Sequence, residues 1–204
     1  MLLPRTSVPA LRITSFITVI GMLMVLATAI ASASTTTTTI SSTVAGVISL
    51  LTSSGTVNVN VTPTASGAQT ISSDTVTVST SDSSGYTLQL AENAASSAMV
   101  SGGNSIPGIA GSQASPVALT ANTWGYRVDG IGGFGAGPTT TQSSIALSAA
   151  KFAPVPATAS PNTIKTTAST ASNDTTSVWY SVAASTAQPS GTYTNTVIYT
   201  ATAN

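Results

Sequence analysis

Apolar and polar residues alternate through residues 177–204, in two arms separated by a short turn. A period of two is typical of an antiparallel strand with one face buried. The turn from Gln188 to Gly191 favours a hairpin between the arms, although other strand pairings stay open. The apolar positions are Val178, Tyr180 and Val182 in the first arm, then Tyr193, Val197, Tyr199 and Ala201 in the second.

The same alternation predicts several earlier strands. Residues 124–128 carry aromatic and apolar side chains on one face, and residues 145–149 form another apolar face. Ala, Ser and Gly dominate residues 93–123, which predicts a long surface excursion. We therefore expect seven to nine strands in an antiparallel, two-sheet, Ig-like β-sandwich, an all-β fold. The clearest of the other predicted strands are residues 57–61, 76–78 and 86–90.

The amino-terminal segment has the order of a secretory signal peptide. Arg5 and Arg12 come before an apolar run that covers residues 13–30, and Ala31-Ser32-Ala33 follows that run. We predict that residues 1–33 are removed on export. The alternative is an uncleaved membrane anchor, because about 18 apolar residues are long enough to span a bilayer.

Charge and length limit what the remaining chain can be. After residue 33 there are three basic and five acidic side chains, and the whole chain has no Cys and no His. Nucleic acid is excluded as a partner because phosphate binding needs clustered Lys and Arg. No disulfide can hold the fold, so one core must. We predict a Ser/Thr-rich linker at residues 34–39 and a single β-sandwich domain at residues 40–204.

Two motifs resemble catalytic signatures but lack their structural context. Gly130 to Gly135 fits G-x-G-x-x-G, yet Pro138 and threonines follow where dinucleotide binding needs a helix. Ser148 and Lys151 fit S-x-x-K, but Ser148 lies in a strand pattern and the companion S-D-N is missing. Without His there is no ordinary base for a serine triad. We predict a protein that is not an enzyme and has no cofactor.

No metal site is predicted from the sequence. Zinc would need carboxylates alone, which it rarely accepts. Asp74, Asp82 and Asp174 could bring oxygen ligands for calcium to one end of a sandwich, but the turn preferences of Asp favour polar caps. Whether a calcium site exists there stays open at this stage.

Four aromatic residues are candidates for glycan contact: Trp124, Tyr126, Trp179 and Tyr180. Aromatic side chains in sandwich proteins more often fill the core. The alternation also places Trp124, Tyr126 and Tyr180 on apolar faces, which favours the core. The position of the two tryptophans, inside or in a surface groove, separates these hypotheses.

Five phrases of the chain, within residues 55–63, 82–88, 122–126, 177–180 and 190–204, resemble the small exported Ser/Thr-rich β proteins of saccharibacterial and related candidate-phylum bacteria. Most of those proteins have no assigned activity. The last phrase is also similar, more distantly, to the terminal strand of WxL-type cell-wall-binding domains. The Trp-x-Leu motif itself is absent, so no binding residue is carried over.

From these observations we expect a secreted or cell-surface, extracellular protein with a structural or adhesive role. Its partners would be cell-wall glycan or other surface proteins, and only the amino-terminal segment would contact membrane. The alternative function is a carbohydrate- or cell-wall-binding module that uses exposed aromatic residues.

Overall fold

The computed structural model describes residues 36–93 and 96–204. Within this part of the chain there is no helix, and every pairing between strands is antiparallel. The prediction of an all-β, antiparallel protein is therefore confirmed. Residues from Val44 to Asn204 form one compact unit. The predicted signal segment, residues 1–33, lies outside the described residues.

Twelve strands occur in the described chain, four of them only two or three residues long. They are β1 (Ile48–Thr52), β2 (Ala68–Thr80), β3 (Tyr86–Glu92), β4 (Met99–Ser101), β5 (Asn104–Ile106), β6 (Val117–Ala118), β7 (Thr123–Val128), β8 (Gln142–Ala146), β9 (Lys151–Phe152), β10 (Asn162–Thr166), β11 (Ala171–Ala184) and β12 (Val197–Ala203).

A five-stranded sheet is built on the two longest strands, β2 and β11. Its order is β1–β2–β11–β7, and β8 pairs with the amino-terminal end of β2 on the same edge as β1. The register places Ser177 opposite Thr75, and Tyr180 opposite Tyr126. On the face of β11 that holds Val178, Tyr180 and Val182, β7 contributes apolar and aromatic partners, whereas β2 places Asp74, Ser72 and Thr70 opposite them.

A three-stranded sheet has the order β10–β3–β12. Tyr199 of β12 lies opposite Leu90 of β3. The short strands form two further ribbons, β4 with β5 and β6 with β9. Because β12 pairs only with β3 among the described strands, it is an edge strand of its sheet.

The main core joins apolar side chains of both larger sheets. Leu88 and Leu90 of β3 are completely buried, as are Val76 and Val78 of β2. Burying one such side chain contributes about 1.5–3 kcal/mol. Across the core lie further buried residues of the other strands, among them Trp124, Tyr126, Val128, Ile164, Val178, Tyr180 and Val182.

A second apolar cluster packs on residues of opposite parity in the five-stranded sheet. Trp179 of β11 belongs to it, whereas its neighbours Val178 and Tyr180 belong to the main core. Successive strand residues point to opposite faces, so both faces of this sheet are covered. Ile109 and Leu119 also belong to this cluster. The excursion predicted as surface loop at residues 93–123 therefore supplies core residues, which its Ala- and Ser-rich composition concealed.

Two of the strand predictions are wrong in detail. The arms of residues 177–204 do not form a hairpin, because β11 lies in the five-stranded sheet and β12 in the three-stranded one. Residues 57–61 are not a strand, although the predicted alternation is present: Val57, Val59 and Val61 are half-buried against the core. The apolar side chains of this segment alternate as in a strand, but no described strand lies beside it to form a ladder of backbone hydrogen bonds.

Candidate functional site: an open groove beside the last strand

An open groove of about 880 Å³ lies between residues 54–62 on one side and residues 192–199 on the other. We call residues 54–62 the linker wall and residues 192–199 the strand wall. The linker wall is distinct from the Ser/Thr-rich linker predicted at residues 34–39. The buried side chains of Trp124, Tyr180 and Val182 reach its floor. This volume falls within the range of ligand-binding clefts.

The strand wall exposes one edge of backbone hydrogen-bonding groups. Thr194 exchanges two backbone bonds with Val100 of β4, and the Thr196 carbonyl accepts from the Asn93 N–H just after β3, so these even-numbered residues bond towards the β3–β4 side. Because bonding direction alternates along a strand, the N–H and C=O groups of Val197 and Tyr199 point to the opposite edge. Among the described residues these groups have no hydrogen-bond partner.

The linker wall is fixed at its ends, and between them the Thr70 hydroxyl donates to the Asn60 carbonyl at 2.6 Å. The Ser53 N–H donates to the Thr75 carbonyl, and the Thr62 N–H donates to Ser144 Oγ at 2.8 Å. From Val57 to Val61, no backbone N–H donates a hydrogen bond within the described chain. The wall is therefore extended backbone held by side-chain packing and by its two ends.

The groove is nearly uncharged. Asp74 is the one ionisable carboxylate among its described lining residues, and it accepts hydrogen bonds from Ser53 Oγ at 2.8 Å and the Ser54 N–H at 3.3 Å. The hydroxyl oxygens of Tyr180 and Tyr199 lie 2.6 Å apart. Burial raises the pKa of both phenols, so both stay neutral at ordinary pH.

An apolar floor between the unpaired outer edge of β12 and a wall with N–H groups that donate no bond in the described chain has the features that bind an extended peptide. Backbone edges supply hydrogen bonds in β-augmentation, and pockets for alternate side chains supply selectivity. The arrangement therefore fits binding.

The four aromatic candidates are buried rather than exposed. Trp124 and Tyr126 are 3% and 0% exposed, and Trp179 and Tyr180 are each 7% exposed. The structure brings Trp124, Tyr126 and Tyr180 into the main core and places Trp179 in the second cluster. They do not form the exposed aromatic surface that the glycan-contact hypothesis needs, because strand alternation turns their rings inward.

Their polar atoms are used inside the fold. The Trp124 indole N–H donates to the Ser97 carbonyl at 2.6 Å. The Tyr126 hydroxyl donates to Gln113 Oε1 and accepts from the Asn162 amide, each at 2.7 Å. Burial raises the pKa of Tyr126 to about 12, only partly offset by the Asn162 bond. These bonds hold distant loops against β7.

The glycine motif after β7 encloses a cation and not a phosphate. Gly130, Gly132 and Gly135 all adopt positive φ, and the loop closes over the fully buried Arg127. The guanidinium donates to Asp129 Oδ1 at 2.7 Å and to the Gly135 carbonyl at 2.8 Å. The carbonyl groups turned inward would repel an anion in the space that the guanidinium fills.

In the S-x-x-K motif, Ser148 takes part in a hydrogen bond within the fold. Gln69 donates to Ser148 Oγ at 2.6 Å, and Lys151 is exposed in β9. Ser148 lies between strands β8 and β9 and does not open a helix. The placement that an S-x-x-K nucleophile needs is therefore absent at this serine.

The three aspartates considered for calcium serve different parts of the fold. Asp82 caps the Ser84 N–H at 2.8 Å, and Asp174 pairs with Lys165 and accepts from the Tyr86 hydroxyl. Burial alone would raise the pKa of Asp174, but the bonds from Lys165 and Tyr86 outweigh it and lower that pKa. In residues 36–93 and 96–204, no three acidic side chains are grouped to hold a metal ion.

Sequence reasoning missed the groove because its walls come from segments far apart in the chain. The available signal was the run of residues 57–61, a strand pattern that ends at Pro63 and has no obvious partner. Glu92 was also missed as a buried carboxyl at 1% exposure. Its strand position gives no hint of this burial; Pro156 and Thr158 hydrogen-bond the Glu92 backbone.

Comparison with known proteins identified no relative of this chain. No protein-family model, curated protein or solved structure matches this chain. In the described part of the chain, no helix is both long and apolar enough to cross a membrane.

Proposed function

We propose that this chain is an exported, cell-surface protein with a structural or adhesive role and no catalytic activity, folded as a two-sheet, Ig-like β-sandwich. Residues 1–33 would direct export and be removed in the process, and the protein would act outside the cell. The main core supports the sandwich arrangement, since it joins β2, β7 and β11 with β3, β10 and β12. The protein would function at the cell surface.

The observation that carries the proposal is the groove bordered by the unpaired outer edge of β12 and by the linker wall, whose N–H groups at residues 57–61 donate no hydrogen bond within the described chain. Exposed edges of sheets readily pair with another chain, and natural proteins usually block them with charges or proline. Here the strand wall has no charged residue at positions 192–199. An edge left open in this way supports a role in contact between surface molecules.

Carbohydrate or cell-wall binding is the second candidate function, and a different feature of the groove favours it. Asn58, Asn60 and Asn195 line the groove together with the half-buried Tyr193. Amide side chains and an aromatic ring are groups that hydrogen-bond and stack on sugars. This candidate no longer depends on the four aromatic residues buried in the two cores.

Surface labelling of intact cells tests the proposal. Antibody against residues 44–204 is expected to label unpermeabilised cells, and beads coated with the protein are expected to adhere to those cells. A cytoplasmic protein that labels only after permeabilisation is the control. Labelling confined to permeabilised cells would refute the surface role, and bead adhesion abolished by soluble wall glycan would favour the carbohydrate-binding candidate.

A further inference from the structure

An amino-terminal arm, residues 36–46, precedes β1 and carries exposed apolar side chains. Ile40 is 92% exposed and Val44 is 87% exposed. The arm has no charged residue and no proline, and it is rich in Thr and Ser with Val and Ile. Such a composition favours an extended strand. Ile40 and Val44 are four residues apart, so both would lie on one face of that strand.

The groove and the arm are complementary in polarity, backbone hydrogen bonding and length. Its floor is apolar, its two walls carry unpaired backbone groups, and no basic residue is found among its described lining residues. The strand wall spans about 26 Å as eight extended residues, and the eleven-residue arm spans about 36 Å. An uncharged strand with apolar residues on one face is long enough to fill the groove and pair with its edges.

The direction of the chain favours a groove on another molecule. Val47 is held to Ser81 by a bond from its N–H to Ser81 Oγ and by a bond from the Ser81 N–H to its carbonyl. Strand β1 then runs from this end towards Ser53 and Thr75, where the groove begins. The backbone at Val47 therefore leaves β1 at the end farther from its own groove.

We propose that the arm of one copy inserts as a strand into the groove of a second copy. Ile40 and Val44 would face the floor near Tyr180 and Val182, and the arm's backbone would pair with the outer edge at Val197 and Tyr199. The inference rests on the proposed structural role and names its partner, a second copy of this chain. Arm and groove are different surfaces, so the contact repeats head to tail and generates open chains or closed rings of several molecules.

Two complementary variants test the insertion. The donor variant carries Ile40→Asp and Val44→Asp, and the acceptor variant carries Val59→Asp in the linker wall. Each variant is made in the full 204-residue chain. It is purified after expression, with whatever processing of residues 1–33 the cells carry out. A control with Ser41→Asp and Thr43→Asp adds the same charge to the opposite face of the arm. Light scattering over a wide concentration range gives the mass of each species.

Wild-type protein and the control are expected to form species of several chain masses that grow with concentration. Each variant alone is expected to stay at one chain mass. An equal mixture of the two is expected to form pairs and nothing larger, because only one functional arm and one functional groove remain to meet. Wild type at one chain mass throughout, assembly of the donor variant, or a mixture that stays at one chain mass would overturn the inference.

A peptide of residues 36–46 gives a second measurement if Val59→Asp fails to fold. An excess of this peptide is expected to reduce wild-type assemblies to single chains, while the same peptide with Ile40→Asp and Val44→Asp has no effect. Assemblies unchanged by the wild-type peptide would contradict insertion. Surface labelling separates the two proposals: a labelled but monomeric protein refutes only the insertion, and an unlabelled protein refutes the surface role.

Discussion

Trp124 shows at the scale of one residue how this core combines packing with hydrogen bonding. Its ring is 3% exposed in the main core, and its indole N–H reaches the Ser97 carbonyl across a long loop. A buried donor left without a partner costs about 1–3 kcal/mol. The side chain therefore holds the excursion after β3 against the sheet as well as filling space.

Replacing Trp124 by Ala is expected to lower the free energy of unfolding by about 3–5 kcal/mol, because a large aromatic side chain is removed from a packed interior. Urea denaturation measures the change. Val117→Ala is the matched control, since Val117 is 40% exposed and its loss should cost less than about 0.5 kcal/mol. A Trp124→Ala protein that unfolds at the parent's urea concentration would contradict burial of this ring.

Glu92 makes the stability of the protein depend on pH. Its side chain is 1% exposed and Oε2 has no partner in the described chain. Burial raises the pKa of Glu92 above 4.5, and the neighbouring Asn195 amide offsets this only in part. The fold therefore favours the protonated form. Its contribution to stability is complete below pH 4.5 and is lost as pH rises through the raised pKa.

Glu92→Gln is expected to be more stable than the parent at pH 7, with a difference that shrinks towards zero as pH falls below 4.5. The amide mimics the protonated carboxyl and cannot ionise. Chemical denaturation across this pH range measures the difference between the two proteins. A constant difference at all pH values would show that the Glu92 carboxyl keeps its ordinary pKa in the fold.

Sequence predicted part of this residue-scale picture. The inward faces of Trp124, Tyr126 and Tyr180 followed from alternation alone, because a strand has only two faces. The burial of Arg127 and Glu92 could not be predicted. Each is covered by a loop whose path depends on contacts far along the chain, and composition describes such loops only as polar and small.

Strand β12 is the element on which the three-stranded sheet depends. It pairs with β3 along its full length, from Val197 opposite Glu92 to Ala203 opposite Tyr86. Asn204 then bonds the Ser84 and Thr167 carbonyls, which fixes the end of the strand. Loss of β12 would uncover the core side of Leu88 and Leu90.

Deleting residues 191–204 is therefore expected to give an unfolded or self-associating product. Size-exclusion chromatography and circular dichroism on the truncated chain measure this outcome, and Thr200→Ala, an exposed position in the same strand, is the control that should behave as wild type. A monomeric product that still melts cooperatively would overturn the dependence of the fold on its last strand.

Alternation predicted which segments are extended better than which segments pair. β2, β3, β7, β11 and β12 all lie where the period of two indicated. Pairing was harder because it depends on contacts that are distant in sequence, so the short turn before Gly191 misled towards a hairpin. For the same reason the Val57 to Val61 pattern predicted a strand, whereas the structure leaves this segment as one wall of the groove.

Across the whole molecule, stability comes from packing, with charge in a minor role. After residue 33 the chain has three basic and five acidic side chains. Two ion pairs are found in the described residues, Arg127 with Asp129 and Lys165 with Asp174. In the first pair Arg127 is fully buried while the Asp129 side chain is 43% exposed, and in the second pair both side chains are partly exposed. An exposed ion pair contributes about 0–1 kcal/mol, which is small beside the two apolar clusters.

Ionic strength is therefore expected to have little effect on folding. Raising sodium chloride from a low to a high concentration at pH 7 should change the free energy of unfolding by less than about 1 kcal/mol, because few charges interact through water. Sodium sulfate should raise it clearly, since sulfate strengthens apolar burial. Urea denaturation in each salt measures both effects. A large loss of stability in sodium chloride would mean that Lys165–Asp174 and the other charges contribute more than the packing of the two clusters allows.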